Sequence, residues 1–477
     1  MASIALFLSL AFSTWFIVRD IRRRRSVSVA IWIPTILLLI LGSRAVSEWL
    51  QSDVQFVGLR NDAQRSMLDE AFFLLVLVGS WLIASSRRVK WGKLLSANTA
   101  IVALYLFFAI SILWSGDPFG STKRLFKDFG LAFVISVVLS EKDPLEAMQA
   151  VYFRCASLLF PLSIVFVRYF PRLGRTYSAG GELMVTGVTT QKNSLGEIVL
   201  VCSLFLVWDC LDAHPARTRN SGAKIPWDRF VLLLMGAYLL QLSQSKTAFL
   251  CLLIGLALIV RSGWLSSKPI SRMVLAGAMS VPVLLFFTQQ FSSVIAPLIE
   301  ALGRDMTFTG RTDIWAHITA TTVNPLIGAG YWNFWGGKGG QAIELAMHTS
   351  VPNAHCGYLD LYLDGGWIGI SLLFTLLLTS GNRLIKSLDG NRFQRVRFAI
   401  LIVLIIYNIS ESMFFRITPI WFTTLLAIID FPSRVAPVRT REDVSLATMR
   451  HSQAADLAQE SGDYQGVHRS KSIHKLS

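Results

Sequence analysis

The long polar stretch from residue 291 to residue 357 holds the side chain best suited to acid–base chemistry. Three of the seven histidines lie in it, and His355 stands near its end, directly after Asn353 and Ala354. An imidazole titrates near neutral pH in water, so it can accept a proton from a hydroxyl group during a transfer reaction. A histidine that only hydrogen-bonds neighbouring loop backbone is the competing interpretation of these residues.

The same stretch contains a pattern typical of an anion site. Gly310 and Arg311 precede Thr312, which can cap a helix that continues through Trp315 and ends before Pro325. An arginine next to the free backbone N–H groups of a helix start can bind an anion. An arginine that caps a surface loop is the alternative.

Basic side chains in two other polar segments extend this pattern. Arg175 and Lys192 lie within residues 168–193, where basic residues outnumber acidic ones, and Lys246 lies in the tight turn of residues 243–247. Cations from several loops that meet on one face suit an anionic, phosphate-bearing lipid. A lysine that snorkels to lipid headgroups is the alternative interpretation of Lys246.

Metal, nucleic-acid and disulfide chemistry have less support. The polar segments on the predicted outer side show no compact carboxylate cluster, and the adjacent acids Asp69 and Glu70 are typical of a helix start. The net charge of +15 is spread over short loops and forms no basic surface interleaved with aromatics. The five cysteines form no CxxC pair. We therefore expect no metal, no cofactor and no nucleic-acid partner.

The elements that must position these residues are membrane-spanning helices. Of the 477 residues, 53% are hydrophobic and 16% are charged, whereas soluble domains have roughly 25% charged residues. Long uncharged runs alternate with short basic loops, which predicts an all-α polytopic membrane protein with about 12–13 transmembrane helices. The predicted spans are near residues 2–18, 29–43, 69–86, 94–114, 125–140, 149–167, 194–211, 229–243, 246–260, 271–289, 360–380, 396–411 and 416–430.

The basic residues also predict the sidedness of the bundle. A basic run, Arg22–Arg25, follows the first span, and alternating sides from there places about two thirds of the lysines and arginines in the cytoplasm. Residues 1–430 then form the helical bundle, with a large periplasmic loop at 291–357 and a smaller one at 169–193. Residues 431–477 are polar and poor in aromatics, which predicts a disordered cytoplasmic tail.

Several short motifs, taken together in this order, resemble those of the O-antigen ligase and Wzy-type polysaccharide polymerase superfamily, and in particular ExoQ-like exopolysaccharide polymerases. These motifs are Gln191-Lys192-Asn193-Ser194-Leu195-Gly196, Ser245-Lys246-Thr247-Ala248, Gly310-Arg311 with Ile314-Trp315, Gly328-Ala329-Gly330, His355, Gly365-Gly366-Trp367-Ile368-Gly369 and Ser410-Glu411-Ser412.

The resemblance implies a metal-independent glycosyltransferase of the multi-span GT-C type, and we expect the transfer to proceed with inversion. Its donor would be a glycan on undecaprenyl diphosphate, used at the periplasmic face of the bacterial inner membrane. The family's diphosphate-binding basic residues match Lys246 and Arg311, with Lys192 and Arg175 as further candidates, and its catalytic histidine matches His355. Further partners would be a glycan or lipid acceptor, a chain-length regulator, export proteins and the surrounding membrane lipids.

Two positions depart from the family pattern. Lys246 stands where arginine is usual, so this site has a point charge in place of a planar fork of donors. Cys356 stands where an asparagine usually follows the histidine.

Four functions remain open from the residues. A polymerase that takes a second lipid-linked glycan as acceptor is the preferred one. An O-antigen ligase would instead transfer the glycan to lipid A core. A metal-dependent enzyme of the same fold type would use paired acids such as Asp69 and Glu70. A polysaccharide transporter or flippase would need ionisable groups near mid-bilayer, and Arg154 and Glu197 are the notable ones within spans.

Overall fold

The structure is a computed structural model of the chain. Residues Met1–Phe431 form one compact unit. The structure describes residues 1–50, 67–177, 181–217, 226–260, 265, 267–287, 311–319, 321, 323–349, 351–389 and 392–431. The predicted tail at 431–477 lies outside the described residues except for Phe431, and so does most of the first half of the predicted loop at 291–357.

Helices form nearly all of the regular structure, which confirms the predicted all-α class. A short antiparallel hairpin, which was not predicted, lies in the smaller loop and pairs β1 (Arg175–Tyr177) with β2 (Leu183–Val185). The helices are α1 (Ala2–Arg23), α2 (Trp32–Leu41), α3 (Val46–Leu50), α4 (Met67–Ser86), α5 (Trp91–Ala97), α6 (Thr99–Ser111), α7 (Pro118–Leu139), α8 (Pro144–Tyr169), α9 (Pro171–Gly174), α10 (Lys192–Arg217), α11 (Trp227–Ser243), α12 (Lys246–Val260), α13 (Lys268–Phe287), α14 (Arg311–Thr319), α15 (Lys338–Met347), α16 (Gly357–Lys386), α17 (Arg392–Tyr407) and α18 (Pro419–Ile428).

Five described helices, α1, α4, α8, α10 and α16, are long and apolar enough to cross a membrane, or up to six if α5 and α6 count as one broken span. This is fewer than the 12–13 predicted spans, although the polytopic membrane class is confirmed. The difference has a physical cause. Helices such as α12 and α18 have fewer than the roughly 20 residues that a bilayer core needs, and α7 buries Lys127 and Asp128 within its length.

Local signals explain where several helices begin. Asp143 accepts hydrogen bonds from the N–H groups of Leu145 and Glu146 and so caps α8, and Thr418 caps α18 by accepting from Trp421. A proline follows each of these capping residues. Proline suits the first helical position because its missing N–H group would have no partner there.

The core of the bundle is built around α8 and α10. In these two helices 83% and 78% of the apolar segment is buried, against 17% for α1. Tyr152 of α8 stacks on Phe205 of α10 with their ring centroids 3.8 Å apart. Because α8 and α10 are buried by protein on most sides, their ends provide fixed points for the neighbouring loops.

A buried ion-pair network joins α1, α8, α10 and α11. Arg24 bonds Asp20 at 2.7 Å and Asp209 at 2.6 Å, while Arg154 bonds Asp20 at 2.9 Å and Arg229 bonds Asp209 at 2.8 Å. Charges inside a bundle are costly unless they are paired. Arg154, which lies within the predicted span at 149–167, is therefore explained as a structural partner of Asp20.

The predicted single span at 94–114 is wrong in shape, because the chain bends by 96° between α5 and α6. Asn98 is the hinge. Its side-chain amide donates to the carbonyls of Leu94 and Asp430 at 2.8 Å, and its oxygen accepts from the Asp430 N–H group. A hydropathy profile cannot show this break, because the partner residue Asp430 is 332 positions away.

A second break interrupts α16 at Gly366, where φ is +58° and ψ is −159°. The backbone N–H groups of Trp367 and Ile368, just after the break, donate instead to the carbonyls of Pro325 and Leu326 in the 325–330 segment. This segment contains the Gly328-Ala329-Gly330 motif, so the motif supports the broken helix that leads away from His355.

Candidate active site

His355 lies on the short connection between α15 and α16, two residues before α16 begins. Its backbone adopts φ +49°, a left-handed conformation that is uncommon for a residue other than glycine. The backbone N–H group of His355 donates to the side chain of Asn353 at 2.9 Å, which stabilises the tight turn. Such conformations concentrate at functional sites because the surrounding structure must hold them.

The carboxylate of Glu411 faces the ring of His355. Its Oε2 lies 3.8 Å from Nδ1, which is too long for a hydrogen bond, and Nδ1 is buried with no hydrogen-bond partner among the described residues. The His355 side chain is 31% exposed and that of Glu411 is 7% exposed. Nε2 is therefore the ring nitrogen left for a ligand, while the acid supports the ring from within the protein.

Three further segments meet at Glu411. Asn193, in the first turn of α10, donates to Glu411 Oε1 at 2.8 Å. Thr247, in the first turn of α12, shares a 2.7 Å hydrogen bond with the hydroxyl of Ser410. The N–H group of Gly357 donates to the carbonyl of Glu411 at 3.1 Å. Motifs that are up to 218 positions apart in the chain thus form one cluster.

Lys192 and Lys246 are the first residues of α10 and α12, so each is the direct chain neighbour of a residue in this cluster. Their neighbours Asn193 and Thr247 make the contacts that fix both helix starts beside Ser410 and Glu411. Lys192 is half-buried and Lys246 is exposed. Two of the four predicted basic residues therefore lie at helix N-termini, where anions are favoured, next to the residues that contact Ser410 and Glu411.

Close packing brings the two lysine-bearing segments together. A Cβ atom on Gly196 would lie 2.7 Å from the Cβ atom of Ser245 and 3.0 Å from that of Ala248. Any larger residue would push α10 and α12 apart. This is the physical reason for a glycine in the Gln191–Gly196 motif.

Arg175 occupies a different position. It lies at the start of β1, and its Nε donates to the carbonyl of Val167 at the end of α8, at 3.0 Å. Among the described residues no contact is recorded between Arg175 and the cluster around Glu411. The chain after the hairpin continues into α10, and Thr189 donates to the carbonyl of Gln191 just before that helix begins.

The predicted helix after Gly310 is present as α14, which begins at Arg311, so Thr312 lies in its first turn. The side chain of Arg311 lies outside the described residues. The backbone of α14 is tied to the candidate site by Trp315, whose indole N–H group donates to the carbonyl of Ala354 at 2.8 Å. Arg311 thus belongs to a helix anchored to the residue before His355.

Asp360 organises the other side of the His355 loop, and the sequence did not indicate this role. Its Oδ1 accepts from the N–H group of Ala354 at 2.9 Å and from the Trp335 indole at 2.8 Å, while Oδ2 accepts from Arg416 at 2.8 Å. Arg416 in turn lies 4.4 Å from the ring centroid of Trp332. The sequence feature that could have indicated this role of Asp360 is an acidic residue in the first turn of an apolar helix.

The two remaining histidines of the polar stretch lie apart from this cluster. His317 is exposed on α14, and His348 is the exposed C-cap residue of α15. Over the described residues, no group of three or more His, Cys, Asp or Glu residues is placed to hold a metal ion.

Comparison with known proteins supports the predicted resemblance. The family described as O-antigen ligase matches residues 230–374, a range that contains Lys246, Arg311 and His355. The exopolysaccharide production protein ExoQ of Rhizobium meliloti (strain 1021) is 27% identical over 328 residues, which cover 64% of this chain and 70% of that protein.

The fold and these matches define a multi-pass helical membrane enzyme of the glycosyltransferase type. Within that class, the chain is similar to the O-antigen ligase and Wzy-type polysaccharide polymerase superfamily, and in particular to ExoQ.

Proposed function

We propose that this enzyme polymerises glycan repeat units carried on undecaprenyl diphosphate, at the periplasmic face of the bacterial inner membrane. One observation carries the proposal. His355 lies against the buried carboxylate of Glu411, and the segments that bear Lys192 and Lys246 are bonded to Glu411 and its neighbour Ser410. A base and two cations thus share one cluster of helix ends.

In the proposed reaction, a hydroxyl of the acceptor sugar attacks the anomeric carbon of the donor with inversion. The new glycosidic bond forms as the bond from that carbon to the diphosphate oxygen breaks. The hydroxyl proton moves to Nε2 of His355, and undecaprenyl diphosphate leaves with the bonding electron pair. Glu411 stabilises the imidazolium that results, because its negative charge is fixed nearby.

Cations bind the diphosphate and stabilise the charge that develops on it. Lys246 and Arg311 are the proposed principal ligands, and Lys192 and Arg175 are further candidates. The starts of α10 and α12 add their backbone N–H groups to this positive region. These cations are already in position before the reaction begins, so the protein needs little reorganisation to stabilise the transition state.

Polymerase and ligase differ only in the acceptor. The family description names an O-antigen ligase, whereas the relative is named for exopolysaccharide production. We favour the polymerase, in which the acceptor is a second lipid-linked glycan, with a chain-length regulator and export proteins as further partners. Deletion of the gene should then leave single repeat units on lipid, while loss of a ligase would leave full-length polymer on undecaprenyl diphosphate.

The test of the proposed site is turnover of a lipid-linked donor by purified histidine variants. A general base typically contributes about 10²–10⁴-fold in rate, so His355→Ala should nearly abolish transfer while donor binding is kept. His317→Ala and His348→Ala are matched controls from the same polar stretch and should be mild. Near-normal turnover by His355→Ala would refute the proposal.

The metal-dependent alternative has a separate test. Cations supplied by lysine and arginine need no divalent ion, so turnover should survive EDTA. Activity that is lost in EDTA and restored by Mg²⁺ or Mn²⁺ would instead support the carboxylate mechanism.

A further inference from the structure

The separation between the base and the acid of the candidate site is set by the chain segments that carry them. Oε2 of Glu411 lies 3.8 Å from Nδ1 of His355, which is too long for a hydrogen bond to hold the ring directly. His355 lies in the turn before α16, whereas Glu411 lies in residues 408–418, which connect α17 to α18. On one side, the N–H group of Gly357 joins the two segments by donating to the carbonyls of Asn408 and Glu411.

An ion pair between Asp360 and Arg416 is a second connection between these segments. Nη2 of Arg416 lies 2.8 Å from Oδ2 of Asp360. The other carboxylate oxygen, Oδ1, accepts from the backbone N–H group of Ala354 at 2.9 Å, and Ala354 is the chain neighbour of His355. Arg416 follows Glu411 in the 408–418 connection. One carboxylate therefore links the backbone next to the base to the segment that carries the acid.

Arg416 is held in this place by more than the ion pair. Its guanidinium carbon lies 4.4 Å from the centroid of the Trp332 ring, and the indole N–H group of Trp332 donates to the carbonyl of Phe415 at 3.1 Å. The side chain of Asn408 accepts from two backbone N–H groups farther along the same connection. The 408–418 connection is thus braced along its length, so the positions of Arg416 and Glu411 depend on each other.

The burial of this ion pair indicates what it does. The side chains of Asp360 and Arg416 are only 9% and 16% exposed. Removing two charges from water costs about as much free energy as their attraction returns, so such a pair adds little net stability. Its best attested use is to fix the register of the segments that it joins. The placement of the His355 turn against the Glu411 segment therefore explains the pair better than stability does.

We propose that Asp360 and Arg416 are positioning residues for the reaction, and that their ion pair sets the separation between the ring of His355 and the carboxylate of Glu411. This inference rests on the proposed function, in which His355 takes the hydroxyl proton and Glu411 stabilises the imidazolium. A ring that moves away from the carboxylate is a weaker base in the transition state. Loss of the ion pair therefore slows the chemical step and leaves binding of the donor unchanged.

The test is steady-state turnover of a lipid-linked donor by the purified full-length protein. Asp360→Asn keeps an acceptor for the N–H group of Ala354 but removes the charge that pairs with Arg416. It should lower kcat about 10- to 100-fold, because small misplacements of a reacting group have effects of this size, while KM for the donor stays within about twofold of wild type. A raised KM with an unchanged kcat would assign Asp360 to donor binding and overturn the inference.

Glu141→Gln is the matched control from the other end of the bundle. The side chain of Glu141 is 2% exposed and pairs with Arg87, and its Oε2 accepts from the backbone N–H group of Ser28 at 3.1 Å. It therefore resembles Asp360 in burial and in partners, but it lies away from His355. Both variants should lower the melting temperature, and only Asp360→Asn should lower kcat. An equal loss of kcat in both variants would show a general effect of instability and overturn the inference.

Variants of Arg416 cover the case in which Asp360→Asn does not fold. Arg416→Lys keeps a cation for the single contact with Oδ2 of Asp360, so it should retain about tenfold more kcat than Arg416→Gln. Equal values of kcat for these two variants would overturn the inference.

A double variant separates this inference from the proposed function. In a His355→Ala background, Asp360→Asn should cause no further loss, because Asp360 acts through the ring. A normal kcat for Asp360→Asn beside an inactive His355→Ala would overturn only the positioning role. Near-normal turnover by His355→Ala would instead refute the proposed function itself.

Discussion

Glu411 holds its carboxylate 3.8 Å from Nδ1 of His355, while Asn193 bonds the other carboxylate oxygen at 2.8 Å. The acid is buried and the ring is partly exposed. In the proposed reaction this carboxylate stabilises the imidazolium that forms when His355 takes the proton, since opposite charges about 4 Å apart attract by on the order of 4 kcal/mol near a protein surface.

Glu411→Gln should lower turnover by about 10²-fold, less than the full attraction predicts, because water around the ring screens the charge. Glutamine keeps an acceptor for Asn193, so the helix starts should stay in place. The measurement is single-turnover transfer from a lipid-linked donor.

A double variant tests whether Glu411 acts through His355. In a double variant, Glu411→Gln should add little to the loss caused by His355→Ala, because the carboxylate acts through the ring. Additive losses would show that Glu411 acts independently of His355.

Arg311→Ala should abolish transfer while the protein stays in the membrane. Loss of a charge-assisted contact to a desolvated anion costs on the order of 2–5 kcal/mol. Arg311→Lys should rescue poorly because lysine has no planar fork of donors, whereas Lys246→Arg should be tolerated. Donor binding and turnover are to be measured together, and near-normal polymer from Arg311→Ala would rule out the proposed diphosphate ligand.

Gly366→Ala should destabilise the protein, because a Cβ atom there would lie 2.4 Å from the backbone of Leu326 and the residue needs φ +58°. Backbone strain of this kind costs about 1–3 kcal/mol before the steric clash is added. Gly369→Ala is the matched control on α16, since its nearest contact would be 3.5 Å away. Thermal unfolding in detergent should show a clear loss for the first variant, and equal melting temperatures would contradict this account of the break.

The predicted sidedness can be tested with reporter fusions. Alkaline phosphatase fused after residue 340 should be active, because we expect that segment to be periplasmic, and a fluorescent protein fused after residue 440 should fold in the cytoplasm. An inactive phosphatase at residue 340 would place His355 on the wrong side for the proposed donor.

From the sequence by itself came the membrane class, the resemblance to the O-antigen ligase and Wzy-type superfamily, and the prediction of His355 as the candidate base. These depend on local features, namely uncharged runs and short motifs in a fixed order, which can be recognised without knowledge of the tertiary contacts. The helix after Gly310 was predicted for the same reason, and the structure places it at Arg311–Thr319.

Only the tertiary structure decided which acid supports His355, and how Asp360 and Trp315 hold the loop before it. It also decided where α5–α6 and α16 break. These features arise from contacts between residues that are distant in the chain, such as Asn98 with Asp430 and Asn193 with Glu411. Hydropathy and residue spacing indicate whether a segment is exposed to lipid or to water. A hydrogen bond across the bundle depends instead on how the helices pack, which neither of them describes.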